Sequence, residues 1–315
     1  MLNTKPGLST AKPSVGPKKS FTSESTCAMS SPVALKGIHL PNTRTEKHKE
    51  TLKLHLMETF LIPGFAFVFG ACIGSFLNVC ISRLPASESV LHPGSKCPVC
   101  QEQIRFYDNI PLISYLWLFG KCRRCGDPIS LRYPVIEALT GAMAVCILYR
   151  FGLTDDALIY FFFVAALIVV IYIDLDHQII PDVISLPGIP AGFLATFFLE
   201  HLTYIDSLIG ILVGGGILFA VASGYYFLTG KEGMGGGDIK LLAMIGAFTG
   251  WQGVCFTIFV ASVTGTIAGV LLMIFTRKDL KHALPFGPFL SIGAVAYLFF
   301  GERLIAFYFF RAPLW

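Results

Sequence analysis

Apolar and polar positions do not alternate along most of this chain; the apolar ones gather in long unbroken runs. The first covers about Phe60 to Ile81. After a polar stretch seven more follow, at about Pro134 to Tyr149, Ala157 to Ile173, Val183 to Leu199, Leu208 to Leu228, Ile239 to Trp251, Val254 to Phe275 and Phe286 to Phe300. Roughly 20 apolar residues suffice to cross a bilayer as a helix, and a segment alone in lipid can satisfy its backbone polar groups only as a helix. The pattern predicts an all-α polytopic membrane protein of about eight transmembrane helices. The sixth run is the weakest, because thirteen residues at 1.5 Å rise cover about 20 Å of a roughly 30 Å core. It is expected to start inside the preceding glycine turn or to be partly re-entrant.

Two polar stretches interrupt this pattern. Residues 1–56 are rich in Lys, Ser, Thr and Pro without apolar periodicity and are expected to be a disordered basic extension. They lack the apolar core of a secretory signal, and a translation start at Met57 is the simpler account of them. Residues 83–132 form a polar insert. The expected organisation is therefore 1–56 extension, 57–82 first transmembrane helix, 83–132 insert and 133–315 membrane-embedded core.

Composition agrees with a membrane protein: 54% of the 315 residues are hydrophobic, 14% charged, and the mean hydropathy is +0.67. The net charge of +4 comes from the extension, whose nine Lys/Arg against three Glu leave the rest slightly acidic. Neither a nucleic-acid motif nor a basic stripe interleaved with aromatics is present, so the partner environment is a lipid bilayer and not nucleic acid. Orientation follows from the placement of Lys and Arg. Seven lie between Arg83 and Arg132, Lys231 and Lys240 flank the glycine turn, and Arg277, Lys278 and Lys281 follow the seventh run, whereas the loops at 151–156, 200–206 and 251–253 have none. The basic loops are expected to face the cytoplasm.

With that orientation the third run ends at Asp174 and the sixth begins at Asp238 on the same side. Asp238 is delivered by a glycine-rich turn, Lys231-Glu-Gly-Met-Gly-Gly-Gly-Asp-Ile-Lys240, whose Gly235 and Gly237 let another chain approach the backbone. Acids at a membrane edge are costly and point to function, although a helix N-terminus also favours them for structural reasons. Two adjoining carboxylates cannot both ionise cheaply, so they share a proton; one can then activate a water while the other hydrogen-bonds a scissile carbonyl. Asp176 and Asp182 rival Asp174, but Asp182 follows Pro181 at a helix start and reads as a helix-stabilising acid. His177, between acids at an interface, reads as structural. Neither a zinc-protease motif nor a serine elbow occurs.

Of nine cysteines, four form two pairs in the insert, Cys97-Pro-Val-Cys100 and Cys122-Arg-Arg-Cys125. This spacing suits a tetrahedral, closed, structural Zn²⁺ site that fixes a loop too poor in apolar residues to fold alone.

The ordered motifs resemble the bacterial prepilin peptidases, the type IV leader peptidases with an aspartyl Gly-x-Gly-Asp motif, over about residues 60 to 310. The matching stretches are Gly74-Ser-Phe-Leu-Asn78-Val, the two cysteine pairs, Asn109-Ile-Pro-Leu-Ile-Ser-Tyr115, Gly120-Lys-Cys, Arg132-Tyr-Pro-Val-Ile-Glu137, Ile173 to Asp182, Lys231 to Lys240 and Pro285-Phe-Gly-Pro288. The resemblance implies Asp174 and Asp238 as catalytic aspartates, supported by Gly235, Gly237, Asp176, Asp182 and Lys240. It implies prepilins or pseudopilins of type IV pili and type II secretion as substrates, cut after a basic leader at the cytoplasmic face of the bacterial inner membrane. It further implies N-methylation of the new N-terminus from S-adenosylmethionine, with Gly120 and Lys121 in the insert as the place to look. Glu102, Asp108, Asp127 and Glu232 are the acids that could meet a basic leader. The rival classes are a transporter or channel using the acids for ions or protons, which should place them at mid-bilayer depth, and a non-catalytic zinc-bearing adaptor.

Overall fold

The computed structural model describes residues 57–92, 94–231, 235–276, 285–301 and 303–304, all within one unit of the chain, Thr51–Trp315. The extension 1–56 and the loop residues Glu232, Arg277, Lys278 and Lys281 lie outside the described residues. Every predicted apolar run falls on helix. The elements are α1 (Ile62–Arg83, after a π turn at Met57–Leu61), a short α2 (Ile113–Trp117) in the insert, α3 (Arg132–Phe151), α4 (Asp155–His177), α5 (Asp182–Ala195), α6 (Tyr204–Thr229), α7 (Gly236–Thr276) and α8 (Gly287–Ala296, continuing as a π turn through Gly301).

Five of these helices are long and apolar enough to cross a membrane, and α5 and α8 are shorter apolar helices. The sixth and seventh runs share α7. A straight helix of that length would span about 60 Å, twice the hydrocarbon core. Gly250 divides it with non-helical backbone (φ 69°, ψ −179°) at the junction of the two runs, so eight runs yield eight helical segments.

The helix ends follow local chemistry. Thr154 caps α4 by accepting from the Ala157 N–H, and Asp155 and Asp156 occupy its first turn, where negative charge is favoured. Thr203 caps α6 in the same way through Asp206. These capping acids account for the two acidic loops at 151–156 and 200–206.

Apolar side chains gain little from meeting each other in lipid, so packing must be close. Between α6 and α7 it is: a Cβ on Gly246 would lie 2.2 Å from the Gly210 carbonyl oxygen, and one on Gly210 2.3 Å from that of Gly246. Between α1 and α3, Gly74 sits so near Glu137 that a Cβ would lie 2.8 Å from its Cα. The most enclosed helix is α4, with Leu167, Val170 and Ile173 fully buried; facing it in the core, the first half of α7 buries Leu241, Leu242 and Ile245 completely. Both candidate acids are therefore carried at the ends of the best-packed segments, α4 and the first half of α7.

Candidate active site

Asp174 lies in the last turn of α4, which ends when Gln178 adopts the left-handed conformation and returns its N–H to the Asp174 carbonyl at 2.9 Å. Asp238 lies in the first turn of α7, just beyond the glycine turn, of which Gly235, Gly236 and Gly237 are described and Gly233 and Met234 are not. Asp174 is buried, at 4% exposure. Two carboxylates 64 residues apart in sequence are thus each carried at a helix end, the last turn of α4 and the first turn of α7.

A third segment completes the site. The Gly287 N–H, at the start of α8, donates to Asp174 Oδ2 at 2.9 Å in a buried bond. A Cβ on Gly287 would lie 2.6 Å from the same oxygen, so only glycine fits. Ile180, in the turn between α4 and α5, fills the space between the segments: the Cβ positions of Gly237 and Gly287 fall 3.0 and 3.2 Å from its side chain. Gly287 sits in Pro285-Phe-Gly-Pro288, a motif to which the sequence reading gave no role. Its signal was a glycine followed by a helix-opening proline, a fixed N-terminus with a free N–H.

The rival acids have partners. Asp176 pairs with Arg132 at the start of α3, whose guanidinium also lies 5.0 Å from the centre of the Tyr172 ring. Asp182 pairs with Lys240 at 2.7 Å, tying α5 to α7. Both pairs brace the helix ends around Asp174 and Asp238, which fits the structural reading of Asp182. His177 is exposed in the last turn of α4.

In the insert, the ligand atoms of Cys97, Cys100, Cys122 and Cys125 all lie within 4.8 Å of one another. Cys97 Sγ and Cys125 Sγ are 3.8 Å apart, far beyond a disulfide but close to the tetrahedron edge of about 3.8 Å that Zn–S bonds of about 2.3 Å require. The two pairs have one architecture. Gln101 and Gly126, each following a second cysteine, donate to the carbonyls of Cys97 and Cys122 at 3.0 and 2.9 Å, and Lys96–Gln103 and Lys121–Pro128 close matching antiparallel bridges. Backbone hydrogen bonds from Cys125 and Arg124 bring the Cys122 thiol down to about 7. Cys125, against a hydrogen bond from Asp127 that lowers it, is pushed up to about 12 by desolvation and neighbouring thiols. A thiol brought down beside one pushed up, within a four-cysteine cluster, is a donor set a dication would convert to thiolates.

Two of the acids suggested for a basic leader are already engaged: Asp108 binds Arg123 at 2.6 Å and Glu102 binds Arg124 at 2.9 Å. Gly120 (φ 66°) receives Tyr115 closely, its N–H donating to the Tyr115 carbonyl at 2.9 Å, and a Cβ would strike the Tyr115 hydroxyl at 2.8 Å. Lys121 stands in the bridge strand beside it.

Two family models match the chain: one described as the bacterial peptidase A24 N-terminal domain, over residues 68–151, and one described as the type IV leader peptidase family, over residues 161–270. The chain is 37% identical over 266 residues to a prepilin leader peptidase/N-methyltransferase of Stutzerimonas stutzeri, covering 77% of this chain and 92% of that one. Proteins of the same name from Pseudomonas aeruginosa (36% over 264 residues, 76% and 91% covered) and Aeromonas hydrophila (34% over 273 residues, 79% and 94% covered) are similarly close. No solved structure matches.

Proposed function

The chain belongs to the type IV leader peptidase family, and from that premise we propose that it is an aspartyl endopeptidase of the membrane edge, with Asp174 and Asp238 as its catalytic pair. The observation that carries this reading is the convergence of the α4 end, the α7 start and the Gly287 N–H around Asp174 and Ile180, with Asp238 next to the Gly237 that packs there. With Oδ2 of Asp174 engaged by Gly287, its other oxygen is left for a water. The ionised carboxylate takes a proton from that water as it attacks, and the protonated partner hydrogen-bonds the substrate carbonyl oxygen. The proton then passes to the leaving amide nitrogen.

The substrates are prepilins or pseudopilins. Such a chain has a basic leader outside the lipid and an apolar helix within it, so its cut site lies at the depth of two helix ends. The site and insert face the cytoplasm of the bacterial inner membrane, as the basic loops favour, and the chain divides as 57–82, 83–132 and 133–315. The four cysteines hold a structural Zn²⁺, which supplies rigidity and no open coordination position. The chain also methylates the new N-terminus from S-adenosylmethionine, a second activity supported by the names of its relatives. Acids at helix ends instead of mid-bilayer disfavour a transporter.

The test is cleavage of a synthetic prepilin by the purified protein in detergent. Asp174→Asn and Asp238→Asn should each abolish cleavage while folding and metal content persist; processing by either variant would refute the assignment.

A further inference from the structure

Three connections of the chain carry no lysine or arginine, 151–156, 200–206 and 251–253, and beyond capping helices they have no part in the chemistry described so far. In the fold Phe151, Asp206 and Trp251, one from each, line a single cavity of about 140 Å³, together with Tyr160 of α4, Phe248 of α7 and Tyr297 just past α8. That is close to the roughly 150 Å³ of an engineered cavity that admits benzene, so the space suits one small group. The cavity is remote from the aspartate site. Tyr160 precedes Asp174 by 14 residues of α4, about 21 Å along the axis at 1.5 Å per residue. Neither the two aspartates, nor Gly287, nor the cysteines of the insert line it.

Five aromatic rings and one carboxylate make up most of the wall, and the rings are held in place. Tyr160 and Phe248 are buried. The Phe151 and Tyr160 rings lie 4.8 Å apart, Phe248 stacks on Phe163 at 4.5 Å, and the Tyr297 ring lies 5.7 Å from that of Phe256. At Gly250, φ 69°, a Cβ would lie 3.1 Å from the Leu202 side chain and 3.5 Å from that of Asp206, so the break in α7 brings Trp251 into the same wall as the acid. Asp206 Oδ2 accepts the Thr203 hydroxyl at 2.6 Å. Its Oδ1 has no hydrogen-bond partner, and the carboxylate no ion-pair partner, among the described residues. No lysine or arginine lines the cavity. Arg150 stands outside the wall with its guanidinium 5.2 Å from the centre of the Phe151 ring, within cation–π reach, so one ring of this set already accepts a cation.

We propose that this cavity binds an alkylammonium group, carried by a lipid head or by a free organic amine, at the end of the membrane core opposite the aspartate site. Aromatic rings attract a cation through their quadrupoles, and several of them around one small space, with a carboxylate beside them, form the cage that recognises ammonium ligands. An anion meets the reverse conditions, since Asp206 is in the wall and no basic side chain answers it. A neutral apolar guest would enclose Asp206 Oδ1 without a partner, which costs free energy. The position suits a lipid as the carrier. Tyrosine and tryptophan gather at the level of the headgroups, and beside Asp206 on α6 the apolar side chains Ile205, Leu208 and Leu212 are about half exposed, a surface for acyl tails.

The test follows Trp251 emission in the full chain, held in a non-ionic detergent, with Trp117→Phe and Trp315→Phe leaving Trp251 as the remaining tryptophan. Short-chain phosphatidylethanolamine, phosphatidylcholine and phosphatidylglycerol, and ethanolammonium chloride, are titrated in turn. The two ammonium lipids should shift the emission saturably, and phosphatidylglycerol of equal chain length should need at least about tenfold more. Asp206→Asn keeps the volume and an oxygen for the Thr203 hydroxyl, and Phe151→Leu removes a ring; each should weaken the response to phosphatidylethanolamine by about tenfold or more, with prepilin cleavage retained. Saturation by ethanolammonium at the same concentration as by the lipid would assign a free amine as the ligand, and a tenfold or greater preference for the lipid would assign the headgroup. Equal affinity for phosphatidylglycerol, unchanged affinity in both variants, or no response to any ammonium ligand would overturn the proposal.

Discussion

The aspartate site and the cysteine insert are stabilised in opposite ways. Asp174 and Asp238 ride on α4 and on the first half of α7, whose side chains are among the most buried in the molecule. The insert leaves Val99, Ile104, Phe106, Leu116, Trp117 and Phe119 exposed and is joined by turns, two isolated bridges and a few arginine–carboxylate pairs. Packing positions the first site. The second is thinly packed, and a metal held by its four thiols would cross-link it. A group at the first site should therefore be sensitive to single atoms, and the second to loss of the metal as a whole.

The largest effect expected is at the aspartates. On the proposed mechanism, replacing either carboxylate by an isosteric amide removes one half of the general acid–base pair and should lower prepilin cleavage by at least about 10³-fold. Methylation of an already cut pilin should be unaffected. Single-turnover cleavage and methyl incorporation measured side by side check this, and equal loss of both would merge two regions that the geometry separates.

Next comes the metal. Cys122→Ser, or chelation, should release zinc and lower methyl transfer by about 10²-fold, in line with the loss seen when a metal site is disrupted, with a smaller effect on cleavage. Zinc must displace thiol protons, and Cys125 lies at about 12 in the free cluster, so affinity should rise with pH. Metal content by mass spectrometry against pH tests this; an affinity flat across neutral pH would exclude the four-thiol donor set.

Gly287→Ala sharpens the contrast from the packed side. Its methyl group must displace Asp174 Oδ2 from 2.6 Å, so cleavage should fall by about 10²-fold, the scale of a small misplacement of a reacting group. The loss should appear in kcat with KM little changed, since the glycine acts through Asp174 and not on the leader. A loss confined to KM would place Gly287 in substrate binding instead.

The two regions also differed in how legible they were. Run lengths gave the eight helical segments, because lipid permits few alternatives, and the cysteine spacing gave the cluster. Asp174 and Asp238 were singled out as charge placed where charge is costly. What could not be read was who meets whom across the chain. Gly287 lies 113 residues from Asp174 and acts through its backbone, which no side-chain pattern reveals. Arg132–Asp176 and Lys240–Asp182 were visible as charges but not as pairs. The break at Gly250 was expected as a loop one residue later.

The surface pairs mark the small end of the scale. Arg132 and Asp176 are each about one-third exposed, so solvent screens them and Arg132→Gln should cost only about 0.5 kcal/mol, a shift of a degree or two in melting temperature. A shift of more than about 5 °C would mean that this pair, and not helix packing, sets the ends of α3 and α4.

The finest comparison lies inside the insert, between its two cysteine turns. Gln101 and Gly126 occupy equivalent places, both left-handed, at φ 58° and 75°, and both donating to the first cysteine of their pair. Glycine takes that conformation without penalty, whereas a residue with a Cβ gives up about 1 kcal/mol. Gln101→Gly should therefore relieve strain in the first turn, offset in part by greater freedom of the unfolded chain, and slow zinc loss to a chelator by about twofold. Gly126→Ala should speed it by about fivefold, a cost of about 1 kcal/mol. The two substitutions move in opposite directions only if the turns are alike in backbone and differ in sequence. Equal acceleration by both would mean that the Gln101 side chain, whose Nε2 bonds the Pro98 carbonyl at 3.0 Å, compensates for its strained backbone.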